Sequence, residues 1–97
     1  MSTKIEIKLP CRTSGHFFPE IVCKDGFMMS VQAGKSWYSY PKDTAPALDL
    51  YSHVEVGYPS MKDELLEPYL DCEGSPVYGY VPLEVVREII RKHGGTM

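Results

Sequence analysis

Residues 82–93 constrain this chain more than any other stretch, because they read as one amphipathic helix with both ends marked. Val85, Val86, Ile89 and Ile90 recur at helical spacing, and Leu83 widens the stripe. Pro82 suits the first helical position. Glu84 and Glu88 come early and Arg91, Lys92 and His93 come late, an order that complements the helix dipole. Glu88 and Lys92 are spaced for an i,i+4 pair, and Gly94 follows as a helix-ending residue. A helix with a single apolar stripe must bury it against a second layer, which the rest of the chain has to supply.

That layer reads as antiparallel strands. Residues 4–9 alternate, with Ile5, Ile7 and Leu9 on one face and Lys4, Glu6 and Lys8 on the other, and Pro10 ends the run. Asp25-Gly26 between two apolar runs predicts a hairpin pairing 20–24 with 27–33. Gly34-Lys35 makes a second turn, and Ser36 to Tyr40 alternates serine with large aromatics, a strand pattern closed by Pro41. Residues 41–47 read as a loop, 48–58 as the longest strand, and 77–81 as a last short strand. Between these, Ser60 is placed to cap a short helix over 61–67, which Pro68 ends or kinks. The expected fold is α+β: one domain over 1–97, with a small antiparallel sheet of five to six strands and the C-terminal helix packed on one face.

Composition narrows the function classes. The 97 residues carry a net charge of −3, and their ten Lys and Arg are scattered except for Arg87, Arg91 and Lys92 at the end of the one helix, a cluster that helix stability explains. That is not the basic stripe of a nucleic-acid binder. No run approaches a signal-peptide core or a membrane span, and the three cysteines, Cys11, Cys23 and Cys72, are odd in number and irregularly spaced. The expectation is a cytoplasmic protein with reduced thiols.

The chemistry-bearing motifs are incomplete. Gly34-Lys35-Ser36 matches the tail of a phosphate-binding loop, but Met29 stands where the first glycine is needed, and a turn fits better. Cys11, His16 and Cys23 are five and seven residues apart, without the close pair of a zinc site; His53, Cys72 and His93 are the other possible ligands. No nucleophile signature surrounds any cysteine. Neither a metal, nor a cofactor, nor an enzymatic activity is expected.

Two features suit a binding surface. Trp37, Tyr38 and Tyr40 crowd one short segment, and Tyr51, Tyr58, Tyr69, Tyr78 and Tyr80 add to them against only three phenylalanines. Tyrosine and tryptophan combine a large apolar body with a polar tip, which favours interfaces and ligand stacking. Trp37, Tyr38, Tyr40 and Tyr58 are the expected contacts. The acidic stretch with Asp63, Glu64, Glu67, Asp71 and Glu73 is the second candidate, with Asp63, Glu64 and Glu67 as its contacts.

Three segments together resemble small uncharacterised proteins of bacteriophages and prophages of Gram-negative bacteria: 29–33 (MSVQA), 54–60 (VEVGYPS), and 77–82 (VYGYVP) running into Val85-Val86 and His93-Gly94-Gly95. The resemblance implies a phage accessory protein that binds and disables a bacterial host or defence protein, a CRISPR system among the candidates. It brings no functional residues with it. The alternative from the residues alone is a small-molecule binder whose Tyr and Trp stack on a nucleotide or other planar ligand.

Overall fold

The computed structural model describes residues 5–13 and 17–97. Four strands form one antiparallel sheet in chain order: β1 (Ile21–Val22), β2 (Met28–Gln32), β3 (His53–Gly57) and β4 (Val77–Pro82), followed directly by α1 (Leu83–Lys92). Two 3-10 turns, Leu48–Leu50 and Glu67–Tyr69, complete the regular structure among the described residues. Among the described residues no helix is long and apolar enough to cross a membrane.

The α+β class, the antiparallel pairing and the C-terminal helix agree with the sequence reading. The expected five to six strands do not: among the described residues the sheet has four. The hairpin at Asp25-Gly26 forms, with Ile21 opposite Met29, Gly26 at φ +97°, and Asp25 Oδ1 accepting the Phe27 N–H.

Residues 5–9 are not a strand. Lys4 lies outside the described residues, and Ile5 is exposed, whereas Ile7 and Leu9 do pack on the core. The β1 edge these residues would need is occupied by the C-terminus, where the Lys24 N–H donates to the Gly95 carbonyl and the Met97 N–H to the Val22 carbonyl. The segment lies instead against Thr96, whose N–H donates to the Glu6 carbonyl at 2.8 Å.

Residues 36–40 are not a strand either. The Trp37 N–H closes a turn onto the Gly34 carbonyl, and buried Ser39 places its Oγ 2.9 Å from the Gly34 N–H, which it accepts, and 3.1 Å from the Gly34 carbonyl, to which it donates. A serine hydroxyl that bonds nearby backbone competes with a sheet ladder, and here it curls 34–39 into a loop. Tyr40 forms an isolated bridge to His53, and the Tyr38 carbonyl accepts the Tyr80 N–H of β4, but no ladder runs through the segment.

The expected 48–58 strand is a 3-10 turn followed by β3, and the expected 61–67 helix is a turn leading into the second 3-10 turn. Pro68 lacks the N–H that an α-helix through this point would need, but it fits the start of a 3-10 turn. No side chain caps the 3-10 turn: Asp63 Oδ1 accepts the Leu65 N–H in the turn before it, and Ser60 Oγ accepts the Met28 N–H instead of capping a helix.

One face of the sheet carries Met29, Val31, Val54, Val56, Tyr78 and Val81, all in the same buried cluster as Leu83, Val86, Ile89 and Ile90 of α1. Simple alternation would put Tyr78 and Val81 on opposite faces. A β-bulge resolves this: Val54 pairs with Val81 and Val56 with Tyr78, so β4 carries one residue more than β3 over this span. The extra length falls on Gly79 and Tyr80, and Tyr80 adopts φ +51°.

The helix ion pairs also differ from expectation. Glu88 pairs with Arg91 and Glu84 with Arg87, which leaves Lys92 to reach Asp63 at 3.1 Å.

Candidate functional site: an aromatic cleft on β4

The bulge turns Tyr80 out to solvent, and the 36–42 loop crosses the open face of the sheet to meet it. The Tyr80 N–H donates to the Tyr38 carbonyl at 3.0 Å, and the Tyr38 N–H donates to the Glu55 carboxylate at 3.3 Å. The two rings lie side by side, 5.8 Å between centroids and tilted by 32°, with Tyr38 45% and Tyr80 46% exposed. Lys42 places its ammonium 5.9 Å from the Tyr38 ring centroid and 5.4 Å from that of Tyr80, while donating to the Trp37 carbonyl at 3.0 Å. This is cation–π geometry.

The other wall comes from the second 3-10 turn. Leu70 bridges to Tyr78, and the Asp71 N–H donates to the Val77 carbonyl, so 68–71 runs along the outer edge of β4. An open cleft of about 320 Å³ lies between, lined by Tyr38, Pro68, Tyr69, Leu70, Asp71, Gly79 and Tyr80. Burial pushes the Glu55 carboxyl above its usual range; nearby Asp71 adds to this, and the Tyr38 N–H and Lys42 oppose it. A second groove, of about 440 Å³, runs beside β1 and is lined by Lys8 to Cys11, Glu20 to Val22, Thr96 and Met97. It lacks any aromatic ring.

Protein-family models, curated proteins and solved structures gave no match to this chain. The site is therefore read from its own chemistry.

The four expected aromatic contacts do not form one patch. Tyr38 is in the cleft. Tyr40 is 64% exposed beside His53. Trp37 is half-buried, edge-on to Phe17 at 5.6 Å. Tyr58, 69% exposed, lies past the far end of β3, where its N–H donates to the Pro76 carbonyl. Tyr40 and Tyr58 are thus separated by the five-residue length of β3, about 17 Å.

Of the acidic candidates, Glu64 and Glu67 are exposed, but Asp63 is buried and bound within the fold. It accepts from Leu65 and Lys92, and its Oδ2 lies 3.6 Å from Nε2 of His93. His93 is itself buried, stacked on Phe27 at 4.1 Å, with Nδ1 2.6 Å from Asp25 Oδ2. That cluster ties the hairpin, the end of α1 and the 63–65 turn together.

Cys23 is fully buried, and burial raises its thiol pKa, whereas Cys11 and Cys72 are exposed. His16 lies outside the described residues. Among the described residues no three His, Cys, Asp or Glu side chains converge where they would hold a metal.

Sequence reasoning missed Tyr80, Lys42, Glu55, Tyr69 and Asp71 as members of one site. The usable signal was Gly79 between two tyrosines, since an isolated glycine in a strand marks a bulge or a close approach.

Proposed function

We propose that this protein acts by binding another protein, without catalysis, and that the Tyr38–Tyr80 cleft is its contact surface. The observation that carries the reading is the pair of half-exposed tyrosines held side by side by backbone hydrogen bonds and a bulge, not by burial. Rigid aromatics with a polar tip are what interface hot spots favour. The phage-like wording of 29–33, 54–60 and 77–82 supplies the context: an accessory protein acting in the cytoplasm of a bacterial host on a host or defence protein. Stacking of a nucleotide fits the cleft less well, because its rim carries Asp71, with Glu55 behind it, and so repels phosphate.

The test compares the wild-type chain with Tyr38→Ala and Tyr80→Asn as bait in a bacterial lysate. Asparagine removes the ring yet tolerates the positive φ of residue 80. A protein captured by wild type and weakened about five- to a hundredfold by either variant supports the reading. Capture unaffected by both variants refutes it.

A further inference from the structure

We infer that the cleft on β4 receives an arginine side chain of a basic partner segment, an assignment that rests on the reading of the cleft as the contact surface. Tyrosine faces are electron-rich and attract cations, and Arg stacks on them more readily than Lys. Lys42, which rests over both Tyr38 and Tyr80, already shows the attraction of these rings for a cation. Lys42 is not among the residues lining the cleft, so the cleft side of the ring pair is open.

The charges around the cleft point the same way. Asp71 lies in its wall and makes no salt bridge with any described residue. Glu55 stands behind Tyr38, close enough to Asp71 for the Asp71 carboxylate to disfavour ionisation of Glu55. Lys42 is the cation that counters Glu55. Exposed Glu67 and Glu73 flank the wall in the chain and add to the local negative charge. A guanidinium would place its plane against Tyr80 and direct its N–H donors to Asp71, meeting both requirements with one group. An anion would meet neither.

The 97-residue chain, labelled with ¹⁵N, is titrated with a blocked Gly-Arg-Gly-Arg-Gly peptide. The controls are the same peptide with citrulline for arginine, the same peptide with glutamate for arginine, and AMP. The expected result is saturable shifts at Tyr38, Tyr69, Asp71, Gly79 and Tyr80. Affinity should be about three- to fivefold weaker for citrulline, fall by a similar factor in Asp71→Asn, and weaken with added salt. Equal binding of the citrulline or glutamate peptide, binding of AMP in place of the arginine peptide, shifts centred outside the cleft, or no shifts at all would each overturn the arginine assignment. Lysate capture that needs Tyr38 and Tyr80 but is indifferent to Asp71→Asn overturns the arginine assignment alone. Capture indifferent to both tyrosines removes the contact surface itself.

Discussion

Gly79 lies directly beneath Tyr38: a Cβ built on the glycine would stand 3.2 Å from both Cβ and Cδ2 of the tyrosine. The approach is close because the Tyr38 backbone is tied to the sheet on both sides, by the Tyr80 N–H to its carbonyl and by its own N–H to Glu55. The missing side chain at 79 is therefore what lets the 36–42 loop lie flat on β4 and present its ring beside Tyr80.

Substitution at Gly79 should separate stability from site geometry. Alanine gains roughly 0.5–1 kcal/mol by restricting the unfolded chain, and this offsets a contact that a few tenths of an ångström of movement relieves. Gly79→Ala should melt within a few degrees of wild type. Valine adds two methyl groups under the ring, and overpacking of that kind costs about 1–3 kcal/mol. Gly79→Val should lower the melting temperature, displace the Tyr38 ring resonances and weaken partner capture. Unchanged Tyr38 resonances in Gly79→Val would show that the ring does not rest on the glycine.

The helix face offers a sharper stability test. Ile89 and Ile90 are fully buried in the cluster that joins α1 to Val54, Val56 and Val81. Truncating either to alanine should cost about 2–5 kcal/mol. A domain of this size has a total of only about 5–15 kcal/mol, so the double variant should be largely unfolded. Urea titration is the measurement, and the single variants should show a lower midpoint with an unchanged slope. Val85, which is half-buried, should tolerate alanine better than either.

What the sequence revealed, and what it did not, follows from how each signal arises. The α1 stripe and the Asp25-Gly26 hairpin are local: the residues that form them are neighbours in the chain, and both are present in the structure. Strand pairing is not local. The alternation at Ile5, Ile7 and Leu9 correctly marks Ile7 and Leu9 as inward-facing, but whether a segment joins a sheet depends on a free edge, and Thr96-Met97 had taken the β1 edge. Ser36 to Tyr40 alternates as a strand would, yet one buried hydroxyl, that of Ser39, turns it into a loop. The cleft was illegible for the same reason. It draws on residues 38, 69, 71 and 80, with 42 and 55 beside them, brought together by a loop crossing, a bulge and a 3-10 turn, none of which leaves a periodic signal.

Tyr58 distinguishes exposure from function. Its ring is the most exposed of the tyrosines named here, but it sits at the opposite end of β3 from the Tyr40 bridge and does not line the cleft. Residue 58, like residue 80, has φ +51°, so asparagine is the replacement here too. Tyr58→Asn should therefore leave stability within about 0.5 kcal/mol, as surface changes usually do. Under the cleft assignment it should also leave partner capture and the arginine-peptide titration unchanged. Loss of capture in Tyr58→Asn, with the fold intact, would move the contact surface to the 57–60 end of the sheet.

Acid should unfold this protein through Asp25 and Asp63. The Phe27 N–H and then His93 hold Asp25 below the usual carboxylate range. Burial pushes Asp63 up, but the Leu65 N–H, Lys92 and His93 together outweigh it, and its pKa too is lowered. A carboxyl whose pKa is depressed by folding stabilises the fold above its unfolded value of about 3.9, and that contribution is lost as pH falls through the folded value. The melting temperature should therefore drop below about pH 4. In Asp25→Asn/Asp63→Asn it should be lower at pH 7 and fall less steeply with acid. Glu55 has the opposite sign, because its raised pKa means that ionisation at neutral pH works against the fold. Glu55→Gln, which keeps an oxygen to accept the Tyr38 N–H, should melt at or above the wild-type temperature at pH 7. Thermal melts of the three proteins from pH 3 to pH 7 check both signs. Parallel curves for wild type and the double asparagine variant would show that the carboxylates around His93 are not the acid-labile link.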